Sequence, residues 1–195
     1  MGKIFVRKDT GFVPLDETKY SEEDQFQEFL YLNPEVMGIV NDDGNMIKMV
    51  PIAREVPVPD DAGNNFFIDL LCLDEEGLVN IIEVKRCCDS RIRREVIGQI
   101  FDYASNLCYS GDVSTLHNYY LQSLSGGAGG VDQSPLYNTL ETEEYWEKVG
   151  VNLQAGKIRL IITADGIPEN LKRIIEFLNK QMNPAELIGI DLRKF

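Results

Sequence analysis

Three residues of this chain stand where their side chains are costly unless they have work to do: Asp69, Glu83 and Lys85. Asp69 lies in the run Phe66-Phe67-Ile68-Asp69-Leu70-Leu71, and the other two in Asn80-Ile81-Ile82-Glu83-Val84-Lys85. Both runs have strand length and near-continuous apolarity, the pattern of central strands covered on both faces. A carboxylate desolvated in such a strand costs several kcal/mol unless it is paired or bound to a metal. Two carboxylates held close together cannot both stay ionised cheaply without a cation between them.

Their proximity depends on the parity of the connection. Residues directly opposite on a hairpin share a face. A two- or four-residue turn around Glu75-Glu76 sets Asp69 opposite Ile82 and leaves Glu83 on the other face. A three-residue turn, Glu75-Glu76-Gly77, sets Asp74 opposite Leu78 and Asp69 opposite Glu83. That turn needs a left-handed residue at its third position, and Gly77 is there. We therefore expect a three-residue turn with Gly77 at positive φ. Asp69, Glu83 and Lys85 then share one face, since alternate residues of a strand do, and Val84 points into the core. Two carboxylates beside an ammonium make an oxygen site suited to Mg²⁺ or Mn²⁺ rather than zinc. Such an ion activates water and polarises a phosphoryl oxygen, while the lysine orients or helps to deprotonate the water, or offsets transition-state charge. The plainer reading is a structural salt-bridge cluster, which an isolated Glu-x-Lys on a strand would favour. The apolar flanks and the features of the following helix reverse that balance.

Several elements must position these residues. Residues 21–32 read as a helix with Ser21 as N-cap and Asp24 three positions on, stopped by Asn33-Pro34. Residues 46–58 read as an imperfect strand, broken or bulged at Pro51. Asp89 or Ser90 caps a helix running to about Tyr109, with an apolar stripe of Ile92, Val96, Ile97, Ile100, Ala104 and Leu107, closed by Gly111. Residues 111–156 contain the glycine-rich loop Ser125-Gly126-Gly127-Ala128-Gly129-Gly130 and a short charged helix around 141–148, and read as a flexible insertion. A strand at 157–163, a helix at 169–181 opened by Pro168 at its first position, and a strand at 187–192 complete the order. The expectation is a single α/β domain over 1–195.

Composition bounds the function. The chain has 195 residues, 44% hydrophobic and 26% charged, as in a globular domain with a real core. No apolar run approaches the roughly 20 residues that cross a bilayer, and the N-terminus resembles neither a signal peptide nor a myristoylation signal. Four cysteines, Cys72, Cys87, Cys88 and Cys108, lack C-x-x-C spacing, and His117 is the one histidine, so reduced structural thiols in a cytoplasmic protein are expected and a zinc site is not. The net charge of −13 argues against a general nucleic-acid binder. Screening confines each charge to about 8 Å, however, and Lys85, Arg86, Arg91, Arg93 and Arg94 form a local basic cluster able to meet phosphates.

Ile68-Asp69, then Glu83-Val84-Lys85, then the stretch Arg91 through Tyr103 (RIRREVIGQIFDY) resembles the PD-(D/E)xK nuclease superfamily in its Gln-x-x-x-Tyr branch. The likeness spans 21–107 and resumes at Lys157; Ile68 stands where the family has proline. The resemblance implies a restriction-endonuclease-like α-β-β-β-α-β core, a mixed central sheet flanked by helices, with the insertion around 111–156. It implies that Asp69, Glu83 and the Val84 carbonyl bind Mg²⁺ or Mn²⁺, and that Lys85 is catalytic. Gln99 and Tyr103, one turn apart, would contact the site or the nucleic-acid backbone, and Glu28 corresponds to the family's helix carboxylate. The implied activity is phosphodiester hydrolysis of DNA, or else RNA, in repair or defence. A homodimer and an additional recognition domain or subunit are compatible with this reading. The alternatives are a non-catalytic nuclease-fold module that binds nucleic acid or protein, and an acidic protein that binds a basic partner.

Overall fold

The Glu75-Glu76-Gly77 turn forms as the parity argument requires. Gly77 has φ +69°, its N–H donates to the Asp74 carbonyl at 3.1 Å, and the Asp74 N–H donates to the Leu78 carbonyl at 3.2 Å. The turn joins β4 (Asn65–Asp74) to β5 (Val79–Lys85), antiparallel with Leu73 opposite Val79 and Leu70 opposite Ile82. Continued by one pair, this register sets Asp69 across from Glu83.

The structure is a computed structural model that describes residues 4–9, 11–59, 65–87, 95–110, 112–125 and 135–195. Strand β3 (Met49–Pro59) pairs antiparallel with β4, and its register shifts between Pro51 and Ala53, a bulge where proline cannot donate to the ladder. On the other side β6 (Arg159–Ala164) runs parallel to β5, and β7 (Glu186–Asp191) parallel to β6. The sheet order is therefore β3-β4-β5-β6-β7, a mixed sheet in an α/β fold.

Helices cover both faces of this sheet. On one face α1 (Glu23–Leu32) buries Phe26 and Leu30 against Leu70, Cys72, Ile82, Val84 and Ile161. The larger core lies on the other face. There Val96 and Ile100 of α2 (Glu95–Ser110) and Leu171 and Ile175 of α6 (Glu169–Gln181) meet Leu71, Leu73, Val79 and Ile81. Burying each such aliphatic side chain contributes about 1.5–3 kcal/mol, which outweighs the modest helix propensity of β-branched residues in α2. No helix among the described residues is long and apolar enough to cross a membrane.

Three expectations from the sequence need correction, and one element was not expected at all. The stretch 111–156 is not a flexible insertion in its described parts: α3 (Val113–Ser125), α4 (Pro135–Leu140) and α5 (Glu143–Gln154) bury Leu116, Tyr120, Leu140, Trp146, Val149 and Leu153 in the larger core. The Thr142 hydroxyl caps α5 by accepting the Tyr145 N–H at 3.3 Å, and Glu143 and Glu144 follow in the first turn, where the helix dipole favours negative charge. Ser21 does not cap α1; its hydroxyl donates to Gln25 Oε1 at 2.8 Å, and Glu22 stands at the N-cap. Pro168 is the N-cap of α6 rather than its first residue. An N-terminal hairpin, β1 (Ile4–Lys8) with β2 (Gly11–Leu15), was not expected, and it forms a separate two-stranded sheet. The expected cap of α2 at Asp89 or Ser90, its closing Gly111 and the glycine-rich run 126–130 lie outside the described residues.

The turn end of the hairpin is held by a buried polar node. Asp74 is fully buried, and its Oδ1 accepts the Glu76 and Leu78 N–H groups, each at 2.9 Å. Its Oδ2 takes Arg159 Nη1 at 2.6 Å, and the same nitrogen donates to Asn80 Oδ1 at 2.8 Å. Asn152 of α5 donates to the Glu76 and Gly77 carbonyls at 3.1 and 3.0 Å, and the Tyr145 hydroxyl donates to the Asp74 carbonyl at 2.7 Å. The turn that sets the site's register is thus clamped from α5 and β6. An added Cβ at Gly77 would meet Lys148 Cγ at 3.4 Å, an ordinary contact, so the cost of Gly77→Ala comes from the backbone. We expect Gly77→Ala to destabilise the fold by about 1–2 kcal/mol. Urea unfolding checks this: the midpoint should fall with an unchanged slope, and Gly77→Asn should recover part of the loss.

Candidate active site

At the far end of the same hairpin the strand pairing changes character. The β3–β4 ladder pairs Arg54 with Leu70 and Val56 with Ile68 but omits Glu55 and Asp69 between them, and Glu55 has φ +52°. Left-handed backbone at a residue other than glycine turns the strand out of its regular pleat. Side-chain alternation breaks at this level: Leu71 and Ile68, three residues apart, both join the larger core. Asp69 sits at that break. Its Oδ2 accepts the Val84 N–H at 2.7 Å, a carboxylate standing in for a ladder carbonyl where β4 and β5 part.

The carboxylate is thereby locked against β5, where Glu83 and Lys85 project. Lys85 Nζ lies 2.7 Å from Glu83 Oε1 and 3.5 Å from Asp69 Oδ2, and it donates to the Val84 carbonyl at 2.9 Å. A fourth oxygen, Glu23 Oε1, lies 3.3 Å away. Glu83 is 1% exposed, Lys85 5% and Asp69 8%, so this is a buried charge cluster rather than a solvated ion pair. The three groups that the resemblance assigns to a metal, Asp69, Glu83 and the Val84 carbonyl, converge on one point, and the point holds an ammonium.

The electrostatics follow from burial. Desolvation pushes the Asp69 carboxyl up to about 6, against the pull of Lys85 and the Val84 N–H. Glu83 is pushed up to about 8, by burial first and then by the neighbouring Asp69 charge. For Lys85, burial alone would lower proton affinity, but Asp69 and Glu83 carry it above the ordinary lysine range, so the ammonium stays charged. The cluster holds more negative than positive charge when fully ionised, and Glu83 Oε2 is buried without a hydrogen-bond partner. An all-oxygen donor set with an orphaned carboxylate oxygen and a cation already at its focus fits a hard divalent ion. Among the described residues no three His, Cys, Asp or Glu side chains form a ready-made cage, so the donors that fit are two carboxylates and a backbone carbonyl.

The other sequence-predicted residues divide. Tyr103 is buried on α2, and its hydroxyl keeps its proton more firmly than a free tyrosine, through burial and then the charges of Glu83 and Asp69. Gln99 is half-buried one turn earlier on the same face of α2. Glu28 is a correction: it is exposed on α1, and the helix carboxylate that reaches Lys85 is Glu23. Five positions along a helix is about 140° around its axis, so the two glutamates face different ways. The sequence carried part of this: Glu23 lies three and seven positions before Phe26 and Leu30, on their face of the helix, whereas Glu28 falls on the opposite side, but the contact with Lys85 is not written in that spacing. The start of α1 is tied down at three points: Glu23 on Lys85, the Ser21 carbonyl on Arg86, and Asp24 Oδ1 on Arg54 Nη2 at 2.5 Å. Arg91, Arg93 and Arg94 lie outside the described residues.

The cysteines and the histidine sit in structural places. Cys72 is fully buried with its thiol pushed up by desolvation, and Cys87 and Cys108 are free and half-buried; Cys88 lies outside the described residues. His117 packs against Trp146 with ring centroids 4.4 Å apart and planes tilted by 35°. No protein-family profile, curated protein or solved structure matches the chain, so the geometry of Asp69, Glu83, Val84 and Lys85 is what its function must be argued from.

Proposed function

We propose that this chain is a metal-dependent nuclease with a restriction-endonuclease-like core, hydrolysing phosphodiester bonds of DNA in the cytoplasm. The observation that carries this reading is the convergence of Asp69, Glu83 and the Val84 carbonyl on one buried point that already demands a cation. These three would hold Mg²⁺ or Mn²⁺. When bound, the ion supplies Lewis-acid polarisation of a phosphoryl oxygen and a water of lowered pKa. Lys85 keeps its proton at Nζ and offers a fixed positive charge to the oxygens that gain negative charge as the phosphodiester reacts. Tyr103, protonated and buried near the carboxylates, keeps a hydroxyl donor available to a bound phosphodiester and helps to exclude bulk water. Gln99 offers amide donors on the same helix face, and Arg91, Arg93 and Arg94 supply phosphate contacts from the segment before it.

A second reading is favoured by one observation: the Lys85 ammonium is satisfied by four oxygens, as in a finished salt-bridge cluster. Under it the chain binds nucleic acid or protein without cutting. Cleavage assays on plasmid and single-stranded DNA in Mg²⁺, Mn²⁺ or EDTA separate the two. We expect cleavage that requires the metal and falls at least about 100-fold in Asp69→Asn and Glu83→Gln, both near-isosteric changes. Equal cleavage by wild type and both variants would remove the assignment to this site, and no cleavage under any condition would leave the binding module.

A further inference from the structure

The N-terminal hairpin carries an apolar and basic face that no other described element covers. Its register pairs Phe5 with Pro14 and Arg7 with Phe12. Residues paired across a hairpin share a face, and so do alternate residues of a strand, so Phe5, Arg7, Phe12 and Pro14 lie together on one side. Ile4, Val6, Lys8 and Val13 lie on the other. Phe5 is 53% exposed and Phe12 72%, and Arg7 is exposed between them. A two-stranded hairpin is marginal by itself in water, and leaving two phenyl rings in solvent is a further cost that a ligand would remove. The hairpin also opposes the charge of its chain: it carries Arg7 and Lys8 against the single carboxylate Asp9, in a protein of net charge −13.

We propose that this face of the hairpin binds unpaired nucleotides of the nucleic-acid substrate, with Phe5 and Phe12 stacking on bases and Arg7 pairing with phosphate. Aromatic platforms interleaved with cations are how single strands are held without sequence preference, because every base has a π-face and every link a charge. A second acidic copy of the chain is a poorer occupant on charge. Chain length keeps the hairpin within reach of the site. Seven residues lie between Leu15 and Glu23, which touches Lys85, so the hairpin end lies within about 28 Å of that glutamate. That is about eight stacked nucleotides at 3.4 Å each.

The inference rests on the nuclease reading for its substrate, and the two can fail separately. Binding of fluorescent oligonucleotides of about 30 nucleotides, single-stranded or in a blunt duplex, is measured in Ca²⁺ by anisotropy. The wild type should prefer the single strand. Phe5→Ala, Phe12→Ala and Arg7→Glu should each weaken single-strand binding about tenfold with little effect on duplex, and Phe12→Trp should retain it. Single-strand affinity unchanged in the Phe5→Ala/Phe12→Ala variant overturns the proposal. So does a wild-type dimer, seen by sedimentation, that this variant dissociates without losing affinity, since the hairpin would then join copies. Asp69→Asn should keep the hairpin-dependent binding. Cleavage without hairpin dependence leaves the nuclease and removes the hairpin role; hairpin-dependent binding without cleavage does the reverse.

Discussion

Lys85→Met is expected to abolish most cleavage and, in metal-free buffer at pH 8, to destabilise the fold by about 3–5 kcal/mol. The first effect follows from removing the ammonium at the focus of Asp69, Glu83 and Glu23, a loss of about 10²–10⁴ in rate for a group that offsets transition-state charge. The second follows from what remains. Methionine fills the volume but leaves two buried carboxylates and the Val84 carbonyl without a positive partner. Its pH dependence has a definite sign. Both carboxyls bind protons more tightly in the fold than in the unfolded chain, Asp69 moving from 3.8 to about 6 and Glu83 from 4.5 to about 8. The folded state therefore holds more protons across that window, and stability falls as pH rises through it. Lys85 lowers both values, so its removal steepens the fall. The variant should thus be close to wild type near pH 5 and worst at pH 8. Added Mg²⁺ should restore thermal stability at pH 8 by supplying the missing charge, without restoring cleavage. Thermal unfolding at the two pH values, with Mg²⁺ or EDTA, checks all of this. A variant equally unstable at both values and indifferent to Mg²⁺ would show that the cluster does not take a divalent cation.

Arg159→Met should be the most damaging change outside the site. Arg159 is 5% exposed and faces Asp74, which is fully buried, so the substitution strands a carboxylate that no water can solvate. It also frees Asn80 Oδ1 and the partly exposed Glu186, whose carboxylate lies 3.0 Å from Arg159 Nε. Removing one partner of a buried pair costs about 3–5 kcal/mol, or roughly 10 °C in melting temperature for a chain of this size. Arg159→Lys keeps the charge but not the planar fork that meets Asp74 and Asn80 together, and should lose less than half as much. A melting temperature that falls by less than about 3 °C in Arg159→Met would mean that the node does not hold the turn.

What could be read from the residues was local. The β4–β5 register followed from turn parity and one glycine, because the sixteen-residue separation of Asp69 and Lys85 is bridged by a hairpin and nothing else. The bulge at Pro51 was legible for the same reason: proline's missing donor acts where it stands. Non-local placement was not legible. Glu23 reaches Lys85 across 62 residues, and which side of α1 faces the sheet is decided by packing of Phe26 and Leu30. Helix α3 was hidden by the glycine-rich run after it and by its polar residues, and α5 was expected only as a short piece around 141–148, although Leu116 and Tyr120, and Val149 and Leu153, are spaced one turn apart on the buried faces. The hairpin β1–β2 was invisible because its apolar residues face solvent, so alternation carried no information about a core. Nor did the strands announce the left-handed Glu55 beside Asp69, since glutamate has no preference for that conformation.

Strand β5 takes one neighbour from the adjacent hairpin and the other, β6, from a segment about 70 residues further along. On a ribosome adding roughly 5–20 residues per second, Ile81, Ile82 and Val84 wait about 4–14 s with one edge bare. For that interval the nascent chain displays an apolar strand edge, the kind of surface to which holding chaperones bind and through which neighbouring chains aggregate. Yield in cells should therefore depend on the pace of translation between Lys85 and Arg159 more than anywhere else in the chain.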